Sequence, residues 1–112
     1  MSSIQKSDID KNFGKILREF RIKNNLTQEE LSEKLGISLK YISRIENGYS
    51  GIKNQTMVNY INTLGIIPNL LYSPLISNPK IKLDIELSNK ISKLSEDKKL
   101  FLNSIVDLLN EY

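Results

Sequence analysis

Apolar residues along this chain recur in helical steps, with polar runs between them. Phe13, Ile16, Leu17 and Phe20 fall at i, i+3, i+4 and i+7, the stripe of one helix face. Asp10 or Asn12 is placed to cap that helix, and Met1–Ile9 ahead of it reads as a polar, frayed arm. Asn24-Asn25 ends the stripe, and Leu26 follows as a plug for the core. Leu31 and Leu35 mark a second short helix, and Ile42 and Ile45 a third. Met57, Tyr60, Ile61 and Leu64 predict a fourth helix over Asn54–Leu64, closed by Gly65. Pro68 suits the first position of a fifth, which ends at Tyr72. Residues 73–82, with Pro74 and Pro79, read as a linker. Beyond them Leu83, Leu87, Ile91 and Leu94 form one stripe. Ser95 caps a last helix with Glu96 and Asp97 in its first turn. The pattern predicts an all-α chain: a five-helix bundle over residues 1–72, then a helical hairpin over residues 83–112.

The stretch Gln28–Gly48 differs from an ordinary pair of helices. Thr27 with Glu30 three residues later forms a capping-box signature. Gly36 sits where the second helix must stop and the chain must turn, a place for left-handed backbone that glycine takes without steric cost. Ile37 then tucks into the corner, and Ser38 caps the third helix. On that helix Lys40, Ser43 and Arg44 fall away from Ile42 and Ile45. A helix held by its back face and offering a polar front is the arrangement of a helix-turn-helix whose second helix reads DNA.

The final helix carries two adjacent apolar lines. Phe101, Ile105, Leu108 and Tyr112 make one, and Leu102, Val106 and Leu109 the other. One line packs on the preceding helix, and the other calls for a further partner, of which a second copy of the chain is the simplest. The dimerisation set expected on this basis is Leu87, Ile91, Leu94, Phe101, Leu102, Ile105, Val106, Leu108, Leu109 and Tyr112. The competing arrangement folds the hairpin back on the bundle within one monomer.

Composition narrows the chemistry. A chain of 112 residues has room for one domain, or one small domain with an appendage. It has neither cysteine nor histidine, which removes thiolate nucleophiles, disulfides, the commonest general base and the commonest metal ligands. With no glycine-rich phosphate loop and no carboxylate cluster at metal spacing, the expectation is a non-enzyme without cofactor or metal. The net charge of +3 is unevenly placed. Residues 1–72 hold ten Lys/Arg against seven Asp/Glu, and residues 73–112 hold six of each. The surplus lies wholly in the part with the helix-turn-helix, the sign required of a phosphate-facing surface. Met1–Lys11 lacks the apolar segment of a secretory signal. The most apolar run, Leu64–Ile76, is broken by two prolines and falls short of a membrane span. A cytoplasmic protein without membrane contact is the expectation.

The segment Q-E-E-L-S-E-K-L-G-I-S-L-K-Y-I-S-R-I-E-N-G at Gln28–Gly48 resembles the lambda-repressor-like, Cro-type (XRE) helix-turn-helix family. F-G-K-I-L-R-E-F-R at Phe13–Arg21 matches that family's first helix, and M-V-N-Y-I-N-T-L-G-I at Met57–Ile66 its fourth. The resemblance covers about Asp10–Tyr72. It implies a compact five-helix bundle, usually bound to DNA as a dimer. It also implies an ion pair between Arg21 and Glu46, and a phosphate contact from Gln28 at the start of helix 2, where the helix N-terminus adds oriented N–H groups. Residues 83–112 look like dimerisation tails of some members. One departure concerns the loop after Gly48, often basic in the family; here Tyr49-Ser50-Gly51-Ile52 is neutral and Lys53 carries its only charge.

The expected base-reading residues are Leu39, Lys40, Ser43 and Arg44. Lys40 and Arg44 donate to guanine O6 and N7, Leu39 meets a thymine methyl, and Ser43 permits close approach. Ser38, Tyr49, Ser50 and Lys53 join Gln28 as phosphate contacts. Tyr41 either lines the groove edge or packs on the surface. The expected function is sequence-specific regulation of transcription, as a repressor dimer on palindromic double-stranded DNA. The alternative is an antitoxin-type DNA-binding protein whose C-terminal helices hold a toxin or other protein partner.

Overall fold

In the computed structural model, which describes residues 3–111, the first helix begins earlier than its apolar stripe. Helix α1 spans Lys6–Lys23, with Gln5 at the N-cap and no side-chain cap bond. The expected caps are therefore displaced: Asp10 and Asn12 both lie inside the helix. Lys6 Nζ meets the Asp10 carboxylate at 2.8 Å, an i,i+4 pair, and Asp8 adds negative charge to the first turn. The Asn12 amide donates instead to the Leu71 carbonyl, at 2.9 Å. The helix ends at Asn24-Asn25, where Asn25 takes φ +58°.

Helix α2 (Gln28–Leu35) opens on a complete capping box. The Glu30 N–H donates to Thr27 Oγ1 at 3.0 Å, and the Thr27 N–H donates to Glu30 Oε1 at 3.1 Å. Gly36 ends it at φ +65°, the conformation that makes the sharp turn possible. Helix α3 (Leu39–Glu46) starts at Ser38, whose hydroxyl accepts from the Tyr41 N–H at 3.1 Å. Helix α4 (Asn54–Leu64) and the short α5 (Pro68–Tyr72) follow, the latter with proline in its first turn.

These five helices enclose one core. Leu17, Leu31, Ile42, Ile45, Tyr60 and Leu71 are completely buried, and Met57, Leu64 and Ile66 nearly so. Phe13, Ile16, Phe20, Leu26, Leu35 and Ile37 flank it, half-buried. Gly14 on α1 is buried against α3, where a side chain would run into the Ile45 carbonyl oxygen. That close approach holds α3 by its back.

The chain forms two compact units, the first ending at Ile76 and the second beginning at Ser77. The first continues beyond Tyr72 through a 3-10 turn, Ser73–Leu75, into the stretch expected as linker. Tyr72 packs edge-on against Phe13 on α1, with ring centroids 5.1 Å apart. A second 3-10 turn, Pro79–Ile81, leads into α6 (Lys82–Ser92). Helix α7 (Glu96–Asn110) follows, with Ser95 at its cap. Neither α6 nor α7 has a buried residue. Of the expected dimerisation residues, Leu94 and Leu102 are half-buried, and Leu87, Ile91, Phe101, Ile105, Val106, Leu108 and Leu109 are exposed. Tyr112 lies outside the described residues. No helix among the described residues is long and apolar enough to cross a membrane.

Candidate nucleic-acid interface

Helix α3 is two-faced. Ile42, Ile45 and Glu46 point into the bundle, while Leu39, Lys40 and Arg44 are exposed and Ser43 is half-exposed beside them. Leu39 is an aliphatic side chain left 40% exposed at the first position of the helix. The Asn47 amide donates to the Ser43 carbonyl at 2.8 Å and reaches Ser43 Oγ at 3.4 Å, which steadies the end of the helix.

A buried carboxylate ties α3 to its neighbours. Glu46 Oε2 accepts from Arg21 Nε at 2.7 Å, and Oε1 accepts from Arg21 Nη2 at 2.9 Å and from Gln28 Nε2 at 3.2 Å. The Glu46 side chain is only 2% exposed. Arg21 Nη1 donates to the Leu26 carbonyl at 2.8 Å, so the whole guanidinium fork is engaged. The hydrogen bonds to Glu46 raise the Arg21 pKa above its usual value, against the opposing effect of burial. The negative charge of Glu46 at the end of α3 is thereby neutralised and turned inward. Gln28, expected on phosphate, spends one amide N–H on this carboxylate, which fixes its position at the head of α2.

The loop after α3 is braced from three sides. Gly48 takes φ +75°. The Tyr49 N–H donates to the Arg44 carbonyl at 2.9 Å. The Arg44 guanidinium reaches across to this loop: Nε donates to Ser50 Oγ at 3.1 Å and Nη2 to the Tyr49 carbonyl at 3.4 Å. Tyr41, whose place the sequence left open, is half-buried under the loop. Its hydroxyl donates to the Gly51 carbonyl at 3.5 Å and accepts from the Lys53 N–H at 3.3 Å. The Lys53 side chain is exposed at the start of α4, and Tyr49 is 73% exposed. Ser38 keeps its hydroxyl on the α3 cap.

Two lysines that sequence reasoning missed flank this loop. Lys11 packs on Gly48, and Lys6 Nζ lies beside Gly51, within 3.2 Å of where a Cβ would stand. Both come from the first turns of α1: Lys11 meets Gly48 through its backbone and Cγ, and the Lys6 ammonium stands beside Gly51 together with the Asp10 carboxylate it pairs with. The only sequence signal was the Lys6–Asp10 spacing, which marks a helical extension but not what it packs against. Among the described residues no cluster of acidic side chains could hold a metal ion.

Residues 17–68 match the family model described as Helix-turn-helix. The matched stretch runs from the buried Leu17 of α1 through the turn and α3 to the first residue of α5. A comparison with curated proteins finds no match. The matched segment, the all-helical bundle and the two-faced α3 agree: residues 17–68 form a helix-turn-helix domain of the lambda-repressor-like, Cro-type kind, which supports a DNA-binding transcriptional regulator.

Proposed function

We propose that this chain is a sequence-specific repressor that binds a palindromic operator as a homodimer, with α3 in the major groove. The observation that carries the reading is the division of α3. Ile42, Ile45 and Glu46 are fixed in the bundle, and Leu39, Lys40, Ser43 and Arg44 form the face turned away from it. Lys40 and Arg44 supply donors for guanine, and Leu39 an apolar contact for a thymine methyl. Gln28, Ser38, Tyr49, Ser50 and Lys53 surround that face and contact phosphate, setting register rather than sequence. Helices α6 and α7 join two copies through Leu87, Ile91, Leu94, Phe101, Leu102, Ile105, Val106, Leu108 and Leu109. A two-fold pair would present its two α3 helices about 34 Å apart, one turn of DNA.

Selection of bound duplexes from a random pool tests this directly. The expected product is an inverted repeat with half-sites about one helical turn apart, bound less tightly as salt rises. A pool that stays random after several rounds contradicts sequence-specific binding. A second reading follows from the absence of any buried residue in α6 and α7. In it those helices hold a different protein, as in an antitoxin. Co-purification of a stoichiometric small partner favours that reading, and a clean homodimer favours the first.

A further inference from the structure

We propose that Ser50 is the positioning residue for Arg44, so that base reading depends on the loop after α3 as well as on α3 itself. The proposal rests on the reading of Arg44 as a base contact. A guanidinium has two hydrogen-bonding edges: Nε with Nη2 at the side, and Nη1 with Nη2 at the end. Arg21 spends both, the side edge on Glu46 and Nη1 on the Leu26 carbonyl. Arg44 spends only the side edge. Its Nε donates to Ser50 Oγ at 3.1 Å and its Nη2 to the Tyr49 carbonyl at 3.4 Å. The end edge has no partner among the described residues. It is a pair of parallel donors, the complement of guanine O6 and N7.

The loop is itself held well enough to serve as a support. Gly48 N–H donates to the Ile45 carbonyl at 3.0 Å, Tyr49 N–H donates to the Arg44 carbonyl, and the Tyr41 hydroxyl bonds both Gly51 and Lys53. Lys11 and Lys6 close the other side, against Gly48 and Gly51. An exposed arginine without such support must order a long side chain when it meets DNA, and ordering it beforehand removes part of that entropic cost. Ser50 accepts the Arg44 bond, so its own hydroxyl proton stays available for a phosphate. One side chain would then tie the backbone register to the base contact.

The test uses the full chain with Ser50→Ala, Ser50→Thr, Arg44→Ala and the double variant Ser50→Ala/Arg44→Ala. Each is titrated with the duplex recovered by selection and with duplexes in which one base pair at a time is replaced. The quantity compared is the preference for the original base pair over its replacement, which a uniform loss of phosphate contact leaves unchanged. Ser50→Ala should lower that preference about three- to tenfold at the base pair read by Arg44, the worth of one ordinary hydrogen bond. Ser50→Thr should restore most of it, and Ser50→Ala should change nothing further when Arg44 is already alanine. Equal weakening on every duplex, in both backgrounds, would make Ser50 a backbone contact and overturn the proposal while leaving base reading by Arg44 intact. Loss of no base preference in Arg44→Ala would remove the reading beneath the proposal, and the proposal with it.

Discussion

The two compact units of this chain are both helical and carry similar apolar patterns, yet they treat those patterns in opposite ways. In residues 3–76 the apolar stripes of α1 to α5 converge on a closed core around Tyr60, Leu17 and Ile45. In residues 77–111 no side chain is buried; Leu100, Phe101 and Leu109 are each more than two-thirds exposed. Capping does not distinguish them, because Ser95 caps α7 just as Ser38 caps α3. The difference is in what the apolar face meets. Helix formation is cheap to specify locally, but most helix stability in proteins comes from packing an apolar face. The first unit supplies its own packing. The second leaves Leu83, Leu87, Leu100, Phe101, Leu108 and Leu109 exposed.

The contrast breaks most severely at the buried ion pair. Arg21→Ala leaves the Glu46 carboxylate buried with Gln28 as its one remaining donor among the described residues, and should cost the first unit about 3–5 kcal/mol in urea denaturation. A loss below about 1 kcal/mol, the range of exposed pairs, would mean that this carboxylate is not anchored as described.

Gly14→Ala comes next. Alanine favours an isolated helix by about 1 kcal/mol over glycine, so propensity alone predicts a gain. The added methyl meets the Ile45 backbone, and the net result should be a loss of about 1–3 kcal/mol. A more stable variant would show that α1 and α3 have room to part.

Phe101→Asp sharpens the comparison from the other side. Phe101 is 70% exposed on α7, so the unfolding free energy of the first unit in urea should change by less than about 0.5 kcal/mol. Sedimentation at micromolar concentration should shift from dimer to monomer. A dimer that survives this change, together with Leu109→Asp, places the self-association elsewhere.

Tyr60→Phe should have the smallest effect. The Tyr60 hydroxyl is buried without a hydrogen-bond partner, so removing it should be neutral or mildly stabilising. Burial, reinforced by Glu46, pushes the phenol pKa well above its ordinary 10.0. The unfolded tyrosine therefore ionises first, and the contribution to stability that is complete below pH 10.0 falls away as pH rises past it. Thermal melts of Tyr60→Phe should show a shallower alkaline decline than the original chain.

Much of this arrangement is legible along the chain because its signals are local. The Thr27–Glu30 capping box, the left-handed Gly36 and Gly65, and the serine caps at positions 38 and 95 each act within four residues. The start of α1 was not legible, since a charged pair rather than an apolar stripe extends it to Lys6. The Arg21–Glu46 pair spans 25 residues and followed only from a family resemblance, not from spacing. The roles of Tyr41, Lys6, Lys11 and Gly14 depend on the loop after α3 and the back of that helix being near them. No periodicity encodes that proximity. Ser50 is the clearest instance: in sequence it is one more polar loop residue, and in the fold it sits on Arg44.

The central claim is that the outward face of α3 reads bases, and Arg44 tests it most directly. The measurement is the affinity of the original chain and of Arg44→Ala for the selected duplex and each of its single-base-pair variants, at one fixed salt concentration. The account predicts that Arg44→Ala loses about 1–3 kcal/mol of preference at one base pair in each half-site and keeps its preferences elsewhere. Uniform weakening across all the duplexes, with every preference retained, would contradict it.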